Sequence, residues 1–478
     1  MLFINLRDSH NWGGDFAQYI QQAENIVEGK SQADTYYVFN PENPYLAPPS
    51  YSVGFPILLA PVYAIYGNNI RAYNIYMSII LLISGLLIFA FLKQHLSLMH
   101  SMMAVLLFIY NPWILSFKAS VISDLPFLMF FVAALVLFNG YRDSLFRSIL
   151  LGGIIAFAML IRSIGVVLLV AIIAQFILRI IRIYKTKNGD ELKYWKTELL
   201  PVPVALLFYI IVTVLILPIQ SESISFFSTL FNFSELGGIV LTTLNYYIYY
   251  FQNFFETDAG AWGFTTAITK SAMLTFLIIG LISGLTERID YKLIILFFYL
   301  GIVFSFPNTT QGFRYFIPVI PLLILYIFKG MYAIRLEAIK KTSYLSIIIF
   351  VVIGLQYKRD ITEVVNQTRT VLEGPQQKES QAVFDFIRKQ TEKKDTVVFT
   401  KPRVLGLYAN RYSFTCAPED SYLDCKRQLD KIGYNYVLVC EDLPNPPIDS
   451  ILRADSLSYR LDFSNSKFRL YKHLTVSE

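Results

Sequence analysis

Residues 71–93 read RAYNIYMSIILLISGLLIFAFLK, and their reading decides the fold. Between Arg71 and Lys93 no charge interrupts the run. A helix needs about 20 apolar residues to cross about 30 Å of hydrocarbon. Inside lipid such a run has to be helical, because each backbone N–H and C=O must find its partner within the segment. The same character recurs near 99–117, 124–140, 146–161, 163–183, 199–218, 264–285, 291–306, 314–330 and 342–356. Several of these are shorter than 20 residues, so a pair of them is open to a re-entrant reading. The stretch 51–69 is apolar but broken by Pro56 and Pro61, and reads as an interfacial helix. The expected fold is therefore a mainly α, polytopic membrane helix bundle of about ten spans over 71–356.

Composition agrees. Of 478 residues 55% are hydrophobic and 16% charged, with a mean hydropathy of +0.48. A soluble domain carries nearer a quarter charged residues. The net charge of +6 fits cytoplasmic anchoring residues rather than a nucleic-acid partner. No Walker loop, no G-x-S-x-G elbow and no zinc spacing occurs, which argues against a nucleotide-driven pump, a serine hydrolase and a zinc protease. Met1 opens no charged-then-apolar leader, and the layout leads to the expectation of a spanning segment upstream of it.

Lysine and arginine set the orientation. With residues 1–70 outside, fifteen Lys and Arg fall on inside connections and three on outside ones: Lys118, Arg162 and Arg314. The long connection 219–263 has neither. Ten crossings return the C-terminus to the outside. Residues 357–478 then read as a small extracytoplasmic α/β domain. Helices are expected near 378–392, 402–409 and 420–432, with strands at 395–400, 434–440, 459–463 and 467–472. Cys416 and Cys425 are open to a disulfide if that domain is extracytoplasmic, or to a reading as buried thiols like Cys440.

Four features carry candidate chemistry. Asp15 precedes Phe16, Tyr19, Ile20, Ala23, Ile26 and Val27 at helical spacing. It thus opens a helix, with Gly13 and Gly14 leaving room before it. Asp15 followed by Gln18 also reads as a capping box, a role that leaves one carboxylate oxygen free. Asp124 opens the span SDLPFLMFF, where it or Ser123 reads as an N-cap. A carboxylate beside hydrocarbon is costly, and such acids are functional candidates. Lys118, Arg162 and Arg314 stand on the side where the bias disfavours cations. They read as snorkelling anchors or as a site for an anionic head group, since arginine forks suit phosphate. The run NYYIYYFQNFFETDAGAW, 245–262, reads as an interfacial aromatic belt, or else as a sugar-stacking or lipid-tail groove.

Four motifs in order bring a family into view. GDFAQYIQQAENIVEG (14–29) carries an acid at a helix start in the first outer loop. YLAPPSYSVGFPILLAPVYAIYG (45–67) continues it as a Pro-rich interfacial segment. SDLPFLMFF (123–131) sets a second acid at a span, and RYFIPVIP (314–321) follows late. Together they resemble the GT-C class of integral-membrane glycosyltransferases, in the branch of the protein O-mannosyltransferases and the lipid A aminoarabinose transferase. The likeness covers roughly residues 8–330. Two departures stand out: the family's first span is absent, and Phe16 occupies the place where many relatives have a second acid.

The resemblance implies a polyprenyl-phosphate sugar as donor and a hydroxyl acceptor on a lipid, glycan or protein, among membrane lipids and without nucleic acid. It implies Asp15 as general base, Asp124 orienting the acceptor or Asp15, and Arg314, with Arg162 or Lys118, binding the phosphate. Configuration would invert. No cofactor is firmly implied, and Phe16 weakens the case for a divalent metal without closing it. The expected location is a bacterial inner membrane. Two alternatives remain open: a transporter or flippase of lipid-linked sugars, and a non-catalytic envelope assembly protein.

Overall fold

Every apolar segment read from the sequence carries a helix in the computed structural model, which describes residues 4–186, 194–217, 233–255, 263–287, 289–306, 312–334, 342–367 and 371–474. Two helices precede the bundle, α1 (Asp15–Glu28) and α2 (Gly54–Tyr66). Then come α3 (Ile70–Lys93), α4 (Leu98–Ile109), α5 (Pro112–Lys118), α6 (Asp124–Leu137), α7 (Leu145–Ile161) and α8 (Val166–Thr186). They are followed by α9 (Trp195–Leu199), α10 (Pro201–Ile210), α11 (Phe233–Phe254), α12 (Gly263–Glu287), α13 (Tyr291–Phe304), α14 (Ile320–Ala333) and α15 (Thr342–Gln367).

Length separates these helices into two kinds. Among the described residues, five are long and apolar enough to cross a membrane: Ile70–Lys93, Ser163–Thr186, Trp195–Ile216, Ala267–Glu287 and Gly312–Ala333. The segment read as one span at 99–117 is instead the pair α4 and α5, bent by 58°. The cause is local. Asn111 caps a fresh start, its Oδ1 accepting from Trp113 N at 2.9 Å, and Pro112 cannot continue the previous ladder. Helices α6 and α13 have 14 residues each, about 21 Å at 1.5 Å per residue, less than the hydrocarbon thickness.

Within 219–263, read from the sequence as a connection without cations, residues 233–254 form α11. The end of the aromatic run, 256–262, lies outside the described residues. Helices α12 and α14 cross at two glycines. A Cβ on Gly280 would lie 1.8 Å from Tyr326 O, and one on Gly330 1.8 Å from Phe276 O. Small residues allow this close backbone approach between membrane helices.

The C-terminal α/β unit holds α16 (Lys378–Gln390), α17 (Pro402–Ala409), α18 (Tyr422–Ile432) and α19 (Pro446–Ala454). Its strands are β1 (Thr396–Val398), β2 (Tyr412–Phe414), β3 (Tyr436–Cys440), β4 (Tyr459–Ser464) and β5 (Phe468–His473), in the order β2-β1-β3-β5-β4. Strand β1 runs parallel to β2 and β3, and β5 is antiparallel to β3 and β4. Strand β2 and helix α19 lie where the sequence pattern shows no element. Three-residue β2 is too short for a period-two signal. Cys416 and Cys425 form a disulfide with Cα atoms 5.5 Å apart, and Cys440 is a buried thiol.

The first loop is stitched to this unit. Ser413 N donates to Tyr36 O at 2.8 Å, and Val38 N donates to Ser413 O at 2.9 Å, so the loop extends the sheet at β2. Trp12 packs among Phe384, Phe399 and Phe468. Asn40 Nδ2 donates to Gln428 Oε1 at 2.8 Å. Residues 4–50 and the C-terminal unit therefore share one end of the bundle, with the start of α1 between them.

Candidate functional site

Asp15 is the first residue of α1, and the N-cap is Gly14, with no side-chain cap bond. The capping-box reading is thus corrected. Gln18 does not close a box; its Nε2 donates to the carbonyls of Pro48 and Pro49 at 2.9 and 3.0 Å. Gln22, one turn further on the same face, bonds Tyr51 in both directions at 2.9 Å through its backbone N and O. The two glutamines fix the Pro-Pro-Ser-Tyr segment on α1. Tyr51 is left with its hydroxyl donating to Asp15 Oδ1 at 2.8 Å.

Asp124 likewise begins α6 behind an N-cap, Ser123, that makes no side-chain cap bond. Its carboxylate is fully buried. Both of its oxygens are met by guanidinium groups: Arg162 Nη1 on Oδ1, and Arg314 Nε on Oδ2 at 2.5 Å. Arg162 comes from the break between α7 and α8, where its extended backbone ends one helix before the next begins. Arg314 comes from the 3-10 segment Gly312–Val319 that leads into α14.

Arg314 also donates through Nη1 to Asp15 Oδ2 at 2.9 Å. One fork therefore bridges the carboxylates of α1 and α6. The other oxygen of Asp15 accepts from Arg403 Nη1 at 3.2 Å, and the same nitrogen donates to Tyr51 Oη at 2.7 Å and to Gln18 Oε1 at 3.2 Å. Burial alone would raise the Asp15 pKa. Arg403, Arg314 and the Tyr51 hydroxyl override it and hold the carboxyl at about 2.

The segment carrying Arg314 is itself buttressed. Tyr246 Oη accepts from Gly312 N at 2.7 Å, and Tyr247 stacks on Phe316 with ring centroids 4.9 Å apart. Tyr299 Oη donates to Tyr315 O at 2.9 Å. Tyrosines 246 and 247 belong to the run read as an aromatic belt; in the fold they support the arginine's backbone.

Asp15, Tyr19, Tyr51, Arg162, Arg314 and Tyr315 line a cleft of about 310 Å³. That is the lower end of the range for small-molecule sites. Arg162 lies 5.0 Å over the Tyr315 ring, and Tyr19 stacks on Tyr51 at 4.6 Å. The cleft thus offers cationic forks, one half-accessible carboxylate and aromatic faces.

Four of the five residues singled out in the sequence, Asp15, Asp124, Arg162 and Arg314, come together here. Lys118 does not. It is wholly buried at the end of α5, donates from Nζ to Ser78 Oγ at 2.8 Å, and does not line the cleft. Proximity to Asp124 in sequence does not carry over, because the ammonium is turned to Ser78 of α3. Arg403 has no signal in the sequence: KPRVLG matches no motif of charge at the edge of an apolar run. Tyr51 lies inside the Pro-rich segment 45–67, whose pattern assigns it no role.

The donor set suits an anion. Both carboxylates are engaged by guanidinium groups, and among the described residues no three His, Cys, Asp or Glu gather.

ArnT from Cupriavidus metallidurans, solved bound to undecaprenyl phosphate, shares the fold with a TM-score of 0.60 at 11% identity, over 99% of this chain and 96% of that one. The archaeal oligosaccharyltransferase AglB from Archaeoglobus fulgidus, in complex with an inhibitory peptide and a dolichol-phosphate, matches with a TM-score of 0.54 at 12% identity. That match covers 91% of this chain, which spans 66% of the archaeal enzyme's length. At such identities the likeness is one of fold, the GT-C fold that the motifs suggested. No curated protein sequence matches the chain. The family described as predicted membrane protein, DUF2079, matches residues 15–447, and the chain belongs to that family.

Proposed function

We propose that this protein is a membrane glycosyltransferase that moves a sugar from a polyprenyl-phosphate donor to a hydroxyl acceptor at the extracytoplasmic face, with inversion. The observation that carries the reading is the Arg314 bridge between Asp15 and Asp124 at 2.9 and 2.5 Å in a cleft at one end of the bundle. Fold neighbours that bind undecaprenyl phosphate and dolichol-phosphate support the donor class. The Lys and Arg bias supports the outer face, in a bacterial inner membrane.

In this reading the acceptor oxygen attacks the anomeric carbon as the bond from that carbon to the phosphate oxygen breaks. The hydroxyl proton passes to Asp15, and polyprenyl phosphate leaves with its electron pair. Arg314 and Arg162 stabilise the charge that grows on the phosphate. A carboxyl held at about 2 is a weak base. When the donor phosphate draws Arg314 toward itself, one of the two cations holding Asp15 down is withdrawn and its basicity rises. Asp124, buried and pinned by both arginines, keeps the forks aimed into the cleft. No step needs a metal.

The test is direct. Full-length protein in detergent is incubated with polyprenyl-phosphate-linked radiolabelled sugars and cell-envelope extract, and label transferred from the lipid phosphate to an acceptor is counted. Turnover in detergent fits an enzyme and not a carrier, which needs two compartments. Mass spectrometry of envelope lipids and glycans with and without the protein identifies the product; no missing product and no turnover would sink the proposal.

A further inference from the structure

Asp15 stands at the junction of two clefts. The second, of about 170 Å³, lies between the first loop and the C-terminal unit. Gly14, Leu46 and Ala47 of the loop form one wall, and Lys401, Arg403 and Thr415 belong to the other. Leu46 and Ala47 line both clefts. Arg403 lines the second cleft while its Nη1 touches Asp15 and Tyr51 in the first.

Most polar groups around the second cleft are satisfied within the fold. Thr400 Oγ1 donates to Leu443 O at 3.1 Å, Thr415 Oγ1 to Cys416 O at 3.1 Å, and Asn445 Nδ2 to Cys416 O at 3.2 Å. Lys401 is the exception. It is half-buried, and its ammonium makes no hydrogen bond or ion pair with any described residue. Its charge is opposed by another cation of the same cleft, Arg403. The ammonium is not sealed from water, and a cation without a protein partner that opens on a cleft offers an anion a charge-assisted bond. Burial and Arg403 together pull the lysine pKa down, which is the direction an uncompensated cation takes.

We propose that the second cleft is the acceptor subsite and that Lys401 selects acceptors bearing a phosphate or carboxylate close to the hydroxyl that receives the sugar. The inference rests on the transferase reading and adds the chemical class of the acceptor. Its geometry is simple. An anion on Lys401 sets the neighbouring hydroxyl toward Asp15, past Arg403, while the donor phosphate is held by Arg162 and Arg314 on the far side of the same carboxylate.

Two measurements test it on the full-length protein in detergent. The first titrates inorganic phosphate and glycerol 1-phosphate calorimetrically into the wild type, Lys401→Gln, Lys401→Arg and Arg162→Gln. Loss of one charge-assisted bond is expected to weaken binding about tenfold in Lys401→Gln, with Lys401→Arg retaining it. Phosphate binding that falls only in Arg162→Gln places the anion in the first cleft and overturns the proposal. The second compares transfer to phosphatidylglycerol against diacylglycerol, and to glucuronate against glucose, which separates a lipid phosphate from a sugar carboxylate. Lys401→Gln is expected to lower the anionic-to-neutral ratio of kcat/KM about tenfold. An unchanged ratio overturns the proposal. Should no acceptor be glycosylated while phosphate binding still depends on Lys401, the transferase reading fails and the anion site stands.

Discussion

Arg403 of the C-terminal unit reaches Asp15 of the first loop at 3.2 Å across 388 residues of sequence. The C-terminal unit thereby helps to hold the carboxylate that lines the cleft. Arg314 holds the opposite oxygen of the same carboxylate from the membrane bundle, so Asp15 is the point where three parts of the chain meet.

Asp15→Asn keeps the shape of the side chain and removes its charge. Loss of a general base costs about 10²–10⁴-fold, so Asp15→Asn and Asp15→Ala are expected to retain at most about a percent of transfer. Size-exclusion profiles of the detergent-solubilised variants establish that they insert and fold. Wild-type rates from well-folded Asp15 variants would remove Asp15 from the mechanism.

Arg314 uses Nε on Asp124 and Nη1 on Asp15, a two-pronged geometry that a lysine ammonium cannot reproduce. Arg314→Lys is expected to fold and to lose about tenfold or more in kcat/KM for the lipid-phosphate donor. Arg314→Ala leaves the buried Asp124 with Arg162 alone, so a drop in Tm accompanies its loss of activity. Equal activity for Arg and Lys at 314 is the contrary result.

The pH dependence follows from the cations around Asp15. Its carboxyl is held at about 2, below the usual carboxylate value, so the ionised form persists to low pH. The stability this pairing contributes is fully present above about pH 4 and is lost as pH falls toward 2. Arg403→Gln removes one of the cations, and the Asp15 pKa rises. The acid limb of the kcat/KM profile, which reports the free enzyme, is expected to move to higher pH in Arg403→Gln. An acid limb that stays in place, or moves down, contradicts the assignment.

Gly14 makes room for this arginine. A Cβ there would lie 2.6 Å from Arg403 Nη2 and 2.8 Å from its Nε. The guanidinium has to shift to admit a methyl group, so Gly14→Ala is expected to displace Arg403 from Asp15 and to lower Tm by no more than Arg403→Gln does. Its activity loss should match Arg403→Gln, and the double variant should be no worse than either single one, as expected for residues acting through one contact. Additive losses in the double-mutant cycle would refute the coupling.

Much of this was legible in the residues themselves. Hydrophobic runs fixed by the 1.5 Å rise of a helix against the thickness of a bilayer mark each bundle helix from α3 to α15 except the short polar α9 and α11, whose tyrosines and threonines dilute its hydropathy. Asp15, Asp124, Arg162 and Arg314 stand out because charge at the edge of apolar runs is costly and needs a reason. The bend at Asn111–Pro112 is local capping chemistry, present in the sequence but masked by the apolar run on either side.

Sequence alone determined the helices, their sidedness as an expectation, and the residue types able to handle a phosphate. Tertiary structure alone decided which charges meet: it brought Arg403 to Asp15, turned Gln18 from a cap into a clamp on Pro48 and Pro49, and buried Lys118 against Ser78. The physical reason is range. Helix formation and membrane insertion are read from neighbours within one or two turns, whereas an ion pair depends on packing that brings residues hundreds of positions apart to within 3 Å, and no local pattern encodes that approach.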